Sequence, residues 1–281
     1  MITIKNLAFS FKRERLFRDL NLEIKSGSIC GILGKNGAGK STLLNLAAGL
    51  LNRYRGSINV NGYTPRKRNA SMLESLYMIP EKLFVPAVKG NDYRKLFAPF
   101  YPKFSNTQFD NLIKDYELDT DKKLTQMSFG QKKKFIIAFA LSTNCSLLLL
   151  DEPTNGLDIP SKKLFRRSLI NSFNEDQLIL ISTHQVRDLE DVLDQIVILD
   201  DGRIVFNYSS EEIESNIVQF NSVSELSDSS IIYGEKSIGG YAYLSSKLDD
   251  DNNNQSPVDV ELLFNAAVNN SSKLNSIFDS R

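Results

Sequence analysis

The apolar run Ile29–Leu33 leads directly into Gly34-Lys35-Asn36-Gly37-Ala38-Gly39-Lys40-Ser41-Thr42, and a helical pattern, Ser41–Leu51, follows. No other stretch limits the fold as strongly. Strand, glycine-rich loop and helix in that order make a P-loop. Its glycines let the backbone turn so that successive N–H groups face inward and can cradle phosphate oxygens, and the helix adds the positive end of its dipole. Gly34, Asn36, Gly37, Ala38, Gly39 and Thr42 are therefore candidate phosphate-binding positions. Lys40 is placed to reach the β- and γ-phosphates and the Ser41 hydroxyl to ligate Mg²⁺. A chance glycine-rich turn would not require both the strand before it and the helix after it.

The rest of the chain supplies matching parts. Leu147–Leu150 is an unbroken apolar run of the kind buried on both faces of a parallel sheet, and Leu178–Ser182 and Gln195–Leu199 read the same way. The first of these runs into Asp151-Glu152. A carboxylate at the end of a buried strand beside a P-loop is the expected partner of Mg²⁺, and the next residue, projecting elsewhere, can serve as general base on an attacking water. Taken alone, that acidic pair could also be a helix cap. Residues 2–11 alternate as a half-buried strand, Leu20–Ile24 continues the pattern, and Asn61-Gly62 and Asp201-Gly202 are turn signals. Between them, from about residue 82 to 145, aromatic and charged residues recur at helical spacing with Pro86, Pro99 and Pro102 as punctuation, which marks a helical insertion.

Zero net charge conceals an asymmetry. Residues 206–281 carry 12 acidic and 4 basic side chains, so the tail is near −8 and the body near +8. A mildly basic body suits a polyanionic ligand, although a charge this size is also an ordinary solvated surface. The tail includes strand-like pieces (Ile217–Phe220, Ile231–Tyr233, Tyr241–Leu244), a helical pattern over Val258–Val268, and the stretch 249–255, too polar to pack. The two cysteines, Cys30 and Cys145, lie in apolar runs without metal-ligand spacing, which points to a reducing compartment. The first residues lack the apolar block of a signal peptide, and no stretch approaches the roughly 18 apolar residues of a membrane span, so the chain is expected not to cross a membrane by itself.

Further motifs fall in a recognisable order: the P-loop, then Met127-Ser128-Phe129-Gly130-Gln131, Asp151-Glu152, Gly156-Leu157-Asp158 and finally His184, the single histidine. Over roughly residues 1–205 the chain resembles the nucleotide-binding subunit of an ATP-binding cassette (ABC) transporter, of a bacterial kind. The resemblance implies an α/β fold: a P-loop NTPase core with a parallel sheet, an antiparallel β subdomain, a helical insertion and a small C-terminal α+β appendage. The implied division is a cassette over residues 1–206 and an acidic appendage over 207–281. It also implies that Ser128, Gly130 and Gln131, as the signature, and Asp158, in the D-loop, meet the ATP held by an opposing subunit. His184 becomes the switch residue that contacts the γ-phosphate and holds Glu152 and water in line. Phe11 is the residue expected to stack on adenine, with Phe9 and Phe17 as rivals and a plain core role as the alternative. Two positions depart from the family pattern. Phe129 replaces the first of two glycines after the signature serine, and Glu81 stands where a glutamine is usual, so that a carboxylate near Mg²⁺ adds negative charge beside the γ-phosphate.

The implied activity is Mg²⁺-dependent ATP hydrolysis in a head-to-tail dimer, formed with a second copy or a close paralogue. The dimer would drive an integral membrane subunit from the cytoplasmic face of the cell membrane. No nucleic acid partner is expected. Pro80-Glu81 and Phe100-Tyr101-Pro102 resemble exporter-like cassettes, although import remains open and the transported molecule is not legible. The competing reading is a non-transport ABC ATPase acting on a soluble partner; such proteins usually pair two cassettes in one chain or carry long heptad insertions, and neither is visible here.

Overall fold

The computed structural model describes residues 1–12, 14–226, 228, 230–246 and 256–279. The polar stretch 249–255 lies outside the described residues.

At the N-terminus, β1 (Ile2–Phe11) pairs antiparallel with β2 (Glu14–Ile24) and, on its other side, with β4 (Arg55–Val60). Between them in sequence come β3 (Ser28–Leu33) and the P-loop helix α1 (Lys40–Ala47). The short helix α2 (Ala70–Glu74) precedes β5 (Leu76–Ile79), and β6 (Leu147–Asp151), β7 (Leu178–Thr183), β8 (Gln195–Asp200) and β9 (Arg203–Ser209) complete a six-stranded sheet. Its order is β5-β6-β7-β3-β8-β9, parallel except for the β8–β9 hairpin.

The apolar runs need this sheet because each strand feeds two cores. Leu148, Leu150, Ile179 and Ile181 face one layer, while Leu147, Leu149, Leu178 and Leu180 face the other. The second layer comprises α1 and the antiparallel sheet. The first comprises α3 (Gly90–Phe97), α4 (Asn106–Asp115), α5 (Phe129–Ser142) and α6 (Ile159–Ser172). Phe139 of α5 anchors that layer, with Tyr77, Tyr93, Tyr101, Phe104 and Phe109 ringed around it at centroid distances of 5.1–6.2 Å.

After the hairpin, α7 (Ser210–Asn216) leads into the antiparallel strands β10 (Ile217–Ser222), β11 (Ile231–Ser237) and β12 (Gly240–Ser246), ordered β10-β12-β11, and the chain ends in α8 (Val260–Asp279). α8 is bent at Asn270, whose φ of −146° and ψ of 46° are not helical. Leu262, Leu263, Ala266, Ala267 and Leu274 belong to the same buried cluster as Ile196, Ile198 and Phe206. Phe278 stacks on Tyr208 with ring centroids 3.8 Å apart. Apolar contact, rather than charge, therefore joins α8 to the central sheet.

This comparison can be measured. Leu263→Ala removes a fully buried side chain and is expected to cost about 2–5 kcal/mol, seen as a lower unfolding midpoint in denaturant. Glu261→Ala breaks the exposed pair with Arg187 at 2.8 Å and is expected to cost less than about 1 kcal/mol.

Candidate nucleotide site

Parallel strands bring their C-terminal ends to one edge, and register decides what meets there. Leu33 lies opposite Thr183 and Asp151 opposite Ser182, so the loops after β3, β6 and β7 leave the sheet side by side. This edge is where open α/β sheets bind ligands.

The loop after β3 is held open by two glycines in the left-handed region, Gly37 at φ 86° and Gly39 at φ 110°. Gly39 caps α1, and a Cβ there would lie 2.7 Å from the Phe17 ring. The Lys40 ammonium donates to the carbonyls of Gly34 at 2.6 Å and Lys35 at 3.2 Å, closing the loop on itself. The Ala38 N–H donates to Lys35 at 3.1 Å. Burial pushes the Lys40 amine below its ordinary range, opposed by the negative charges of Glu152, Asp151 and Glu81.

At the end of β6 the Ser41 hydroxyl donates to Asp151 Oδ1 at 3.0 Å, and the Ser182 hydroxyl donates to the same oxygen. Glu152 bends away with φ 49°, a conformation that costs a non-glycine residue about 1–2 kcal/mol and must be held by its neighbours. Its N–H donates to the Ser182 carbonyl at 3.0 Å. Its carboxylate is buried and receives His184 Nδ1 at 2.7 Å and the Thr183 hydroxyl at 3.4 Å, with Lys40 Nζ 4.0 Å away. With Nδ1–H on the carboxylate, Nε2 is the imidazole nitrogen left for a ligand.

A cleft of about 680 Å³ opens over these groups. Asn36, Gly37, Gly39, Lys40, Ser41 and Thr42 line it together with Phe11, Glu81, Glu152 and His184. Phe11 is half exposed at its mouth, its ring nearly perpendicular to that of Phe9 with centroids 4.8 Å apart, whereas Phe9 and Phe17 are buried and belong to the core. Gly34 and Ala38 do not line this cleft; Gly34 lines the adjoining one, and both take part in the loop's hydrogen bonds through backbone atoms.

Four of the expected residues lie elsewhere. Ser128 and Gln131 form a capping box at the start of α5, with Gly130 between them in its first turn, and Asp158 caps α6 by accepting the Ser161 N–H at 2.9 Å. None of them lines the cleft of its own chain. Lys133 was not foreseen as a site residue. It is fully buried on α5 and donates to the carbonyls of Glu152 and, at 3.2 Å, of Asn155. One sequence signal could have found it: Lys133 follows Phe129 by four residues and precedes Ile136 and Ile137 by three and four, on the apolar face of the helix.

Fold and site together define a P-loop nucleoside-triphosphatase cassette. The family model for the ABC transporter matches residues 17–155. The lantibiotic transport ATP-binding protein SrtF of Streptococcus pyogenes is 31% identical over 224 residues, covering 79% of this chain and 96% of that one. Among solved structures, the ATP-binding subunit of an ABC transporter superposes with a TM-score of 0.69 at 24% identity, over 76% of this chain and 92% of the other. A dimeric bacterial ABC transporter cassette superposes at 0.64 with 22% identity, over 74% and 98%. The chain belongs to the ABC transporter ATP-binding family, whose members bind and hydrolyse ATP.

Phe11→Ala is expected to weaken nucleotide binding about three- to tenfold, the loss of one aromatic face worth roughly 0.5–1.5 kcal/mol, as read by fluorescent-nucleotide titration. Phe11→Tyr should bind as the parent does. Phe9→Ala, which empties a buried position, should lower the unfolding midpoint instead.

Proposed function

We propose that this chain is the ATP-hydrolysing subunit of a transporter, working as a head-to-tail dimer, dependent on Mg²⁺ and docked at the membrane on a separate spanning subunit. The observation that carries the chemistry is the cluster of Lys40, Glu152 and His184 in one cleft. Loop N–H groups and Lys40 hold the phosphates. Glu152 accepts the proton of the attacking water, and His184 holds that carboxylate through Nδ1 and donates its Nε2–H to the γ-phosphate. The residues present fit a hard divalent cation: the Ser41 hydroxyl and an Asp151 oxygen already lie 3.0 Å apart, and Glu81 lines the same cleft as Ser41. Ser41 and Asp151 would hold Mg²⁺, which when bound would supply neutralisation of the charge that builds up on the phosphate.

The dimer reading rests on the division of the site. Ser128, Gly130, Gln131 and Asp158 sit at helix starts away from their own cleft, so they would serve the nucleotide of a second cassette, a copy or a close paralogue. The solved dimeric cassette of the same fold supports this arrangement.

No helix among the described residues is long and apolar enough to cross a membrane. The proposed seat of the spanning subunit is a groove of about 440 Å³ lined by Leu50, Leu73, Met78, Phe100 and Tyr101, in which Leu50 and Phe100 are exposed. Phe84 is 92% exposed, whereas Val85 and Val88 pack against the core. Of these three apolar side chains, Phe84 alone is exposed. We favour export, on the resemblance of Pro80-Glu81 and Phe100-Tyr101-Pro102 to exporter-like cassettes.

Glu152→Gln is expected to keep ATP affinity, lower turnover by about a hundredfold or more and accumulate an ATP-bound dimer on gel filtration. Rapid turnover by this variant would remove Glu152 from the role of base. EDTA should abolish hydrolysis and added Mg²⁺ restore it. For docking, cysteines placed at positions 84 and 100 should cross-link to a co-purified membrane protein. Both native thiols are buried, with Cys145 pushed up to about 11 by burial, so they will stay silent. Failure of both positions in every nucleotide state would exclude this face.

A further inference from the structure

Lys133 is a charged side chain with no exposure at all, one turn into α5, and a buried ammonium persists only where hydrogen bonds replace its water. Two carbonyls do so here, those of Glu152 and Asn155. The acceptors are backbone atoms, so the contact fixes the course of the chain rather than a carboxylate. That chain is the bend at which Glu152 adopts φ 49° and turns its carboxylate toward His184. Phe129 closes the same place from outside. Its ring covers Gly156, where a Cβ would come within 2.5 Å of it, and the Lys133 ammonium lies 5.9 Å from the ring centroid. Burial pushes the Lys133 amine down to about 8, with the negative charges of Glu152, Glu81 and Asp151 opposing, so it is still mostly protonated at neutral pH.

We propose that Lys133 is a positioning residue for hydrolysis: its ammonium grips the Glu152 and Asn155 carbonyls and so holds the Glu152 carboxylate on His184 and over the cleft, with Phe129 as the lid on that grip. The proposal rests on the reading of Glu152 as base. A purely structural lysine would show its loss in the unfolding midpoint, through the two carbonyls left without a donor, and not in turnover. A positioning lysine must instead affect turnover through Glu152 and leave ATP binding, which other elements perform, almost untouched.

The test uses the full-length protein with Lys133→Met, which keeps the volume but not the donors, and Lys133→Gln, which keeps one uncharged donor group. Each is made in the parent and in the Glu152→Gln background, and kcat, KM for ATP, single-turnover rates and unfolding midpoints are measured. Lys133→Met is expected to lower kcat about tenfold or more with KM within about threefold of the parent, because sub-ångström misplacement of a reacting group is that costly. Lys133→Gln should recover part of the loss. In the Glu152→Gln background Lys133→Met should change the residual rate by less than about twofold, because two residues that act as a unit are not additive.

Parental kcat in Lys133→Met overturns the proposal, and so does an equal fall in both backgrounds or a raised KM with kcat intact. These failures leave the base assignment standing. If Lys133→Met does not fold, Lys133→Gln decides: parental kcat in that variant overturns the proposal, and a lowered kcat confined to the parent background supports it. Parental turnover by Glu152→Gln alone would overturn the base assignment and this proposal with it.

Discussion

Everything in the candidate site depends on the alignment of β6 with β7. Asp151 lies opposite Ser182 in the parallel ladder, so the Ser182 hydroxyl and carbonyl are at hand for the next peptide, and the chain can turn at Glu152. A slip of one residue would send the leucines of β6 to the wrong cores and carry both carboxylates away from α1. The double-sided burial of LLLL and LILI is therefore what sets the register, and the register places the chemistry.

Electrostatics supply a second constraint. Lys40 and Lys133 stand within reach of Asp151, Glu152 and Glu81, so the site is already balanced or slightly negative before a nucleotide enters. A triphosphate adds several negative charges in a partly buried cleft, where like charges a few ångströms apart repel strongly. Loop amides and Lys40 do not offset that by themselves. A divalent cation held by Ser41 and Asp151, as proposed above, would supply the missing positive charge, and Glu81, a carboxylate where the family commonly places an amide, would add to the demand for it.

Much of this was legible from residue order. The P-loop, the acidic strand end and the histidine after the next strand were readable because each rests on a local pattern. Asn61-Gly62 and Asp201-Gly202 were readable because both residues of each pair take positive φ, which few dipeptides accept. Phe11 was less clear. Strict alternation places it with Leu7 and Phe9, but β1 carries irregularities around Phe9, and its last residue lies at the edge of the core, so Phe9 is buried and Phe11 is not. Lys133 was hidden among three consecutive lysines, and only the phase of α5 shows which one turns inward. Asn269-Asn270 reads as a helix end, and the backbone does break there. The helix resumes because Leu274, Ile277 and Phe278 have a surface to bury against, a tertiary reason absent from local sequence.

The same surface shows how the acidic C-terminal segment bears on the site. α8 packs on the segment Val186–Asp188, two residues after His184, and a cleft of about 490 Å³ separates Glu261, Phe264 and Asn265 from Thr183, His184 and the start of the P-loop. The Arg187 pairs with Glu261 and Asp259 at this seam are solvent-exposed and contribute little, whereas Leu263, Ala266 and Ala267 are buried without a polar partner to satisfy. Attachment by apolar area is not screened by salt and persists over a range of charge states. The net charge near −8 of residues 206–281 thus has little part in holding the segment in place. The peptide that carries His184 is fixed from two directions, by the buried strand β7 before it and by α8 against the turn after it. α8 thus bounds, across that cleft, the turn that follows the 2.7 Å contact of His184 with Glu152.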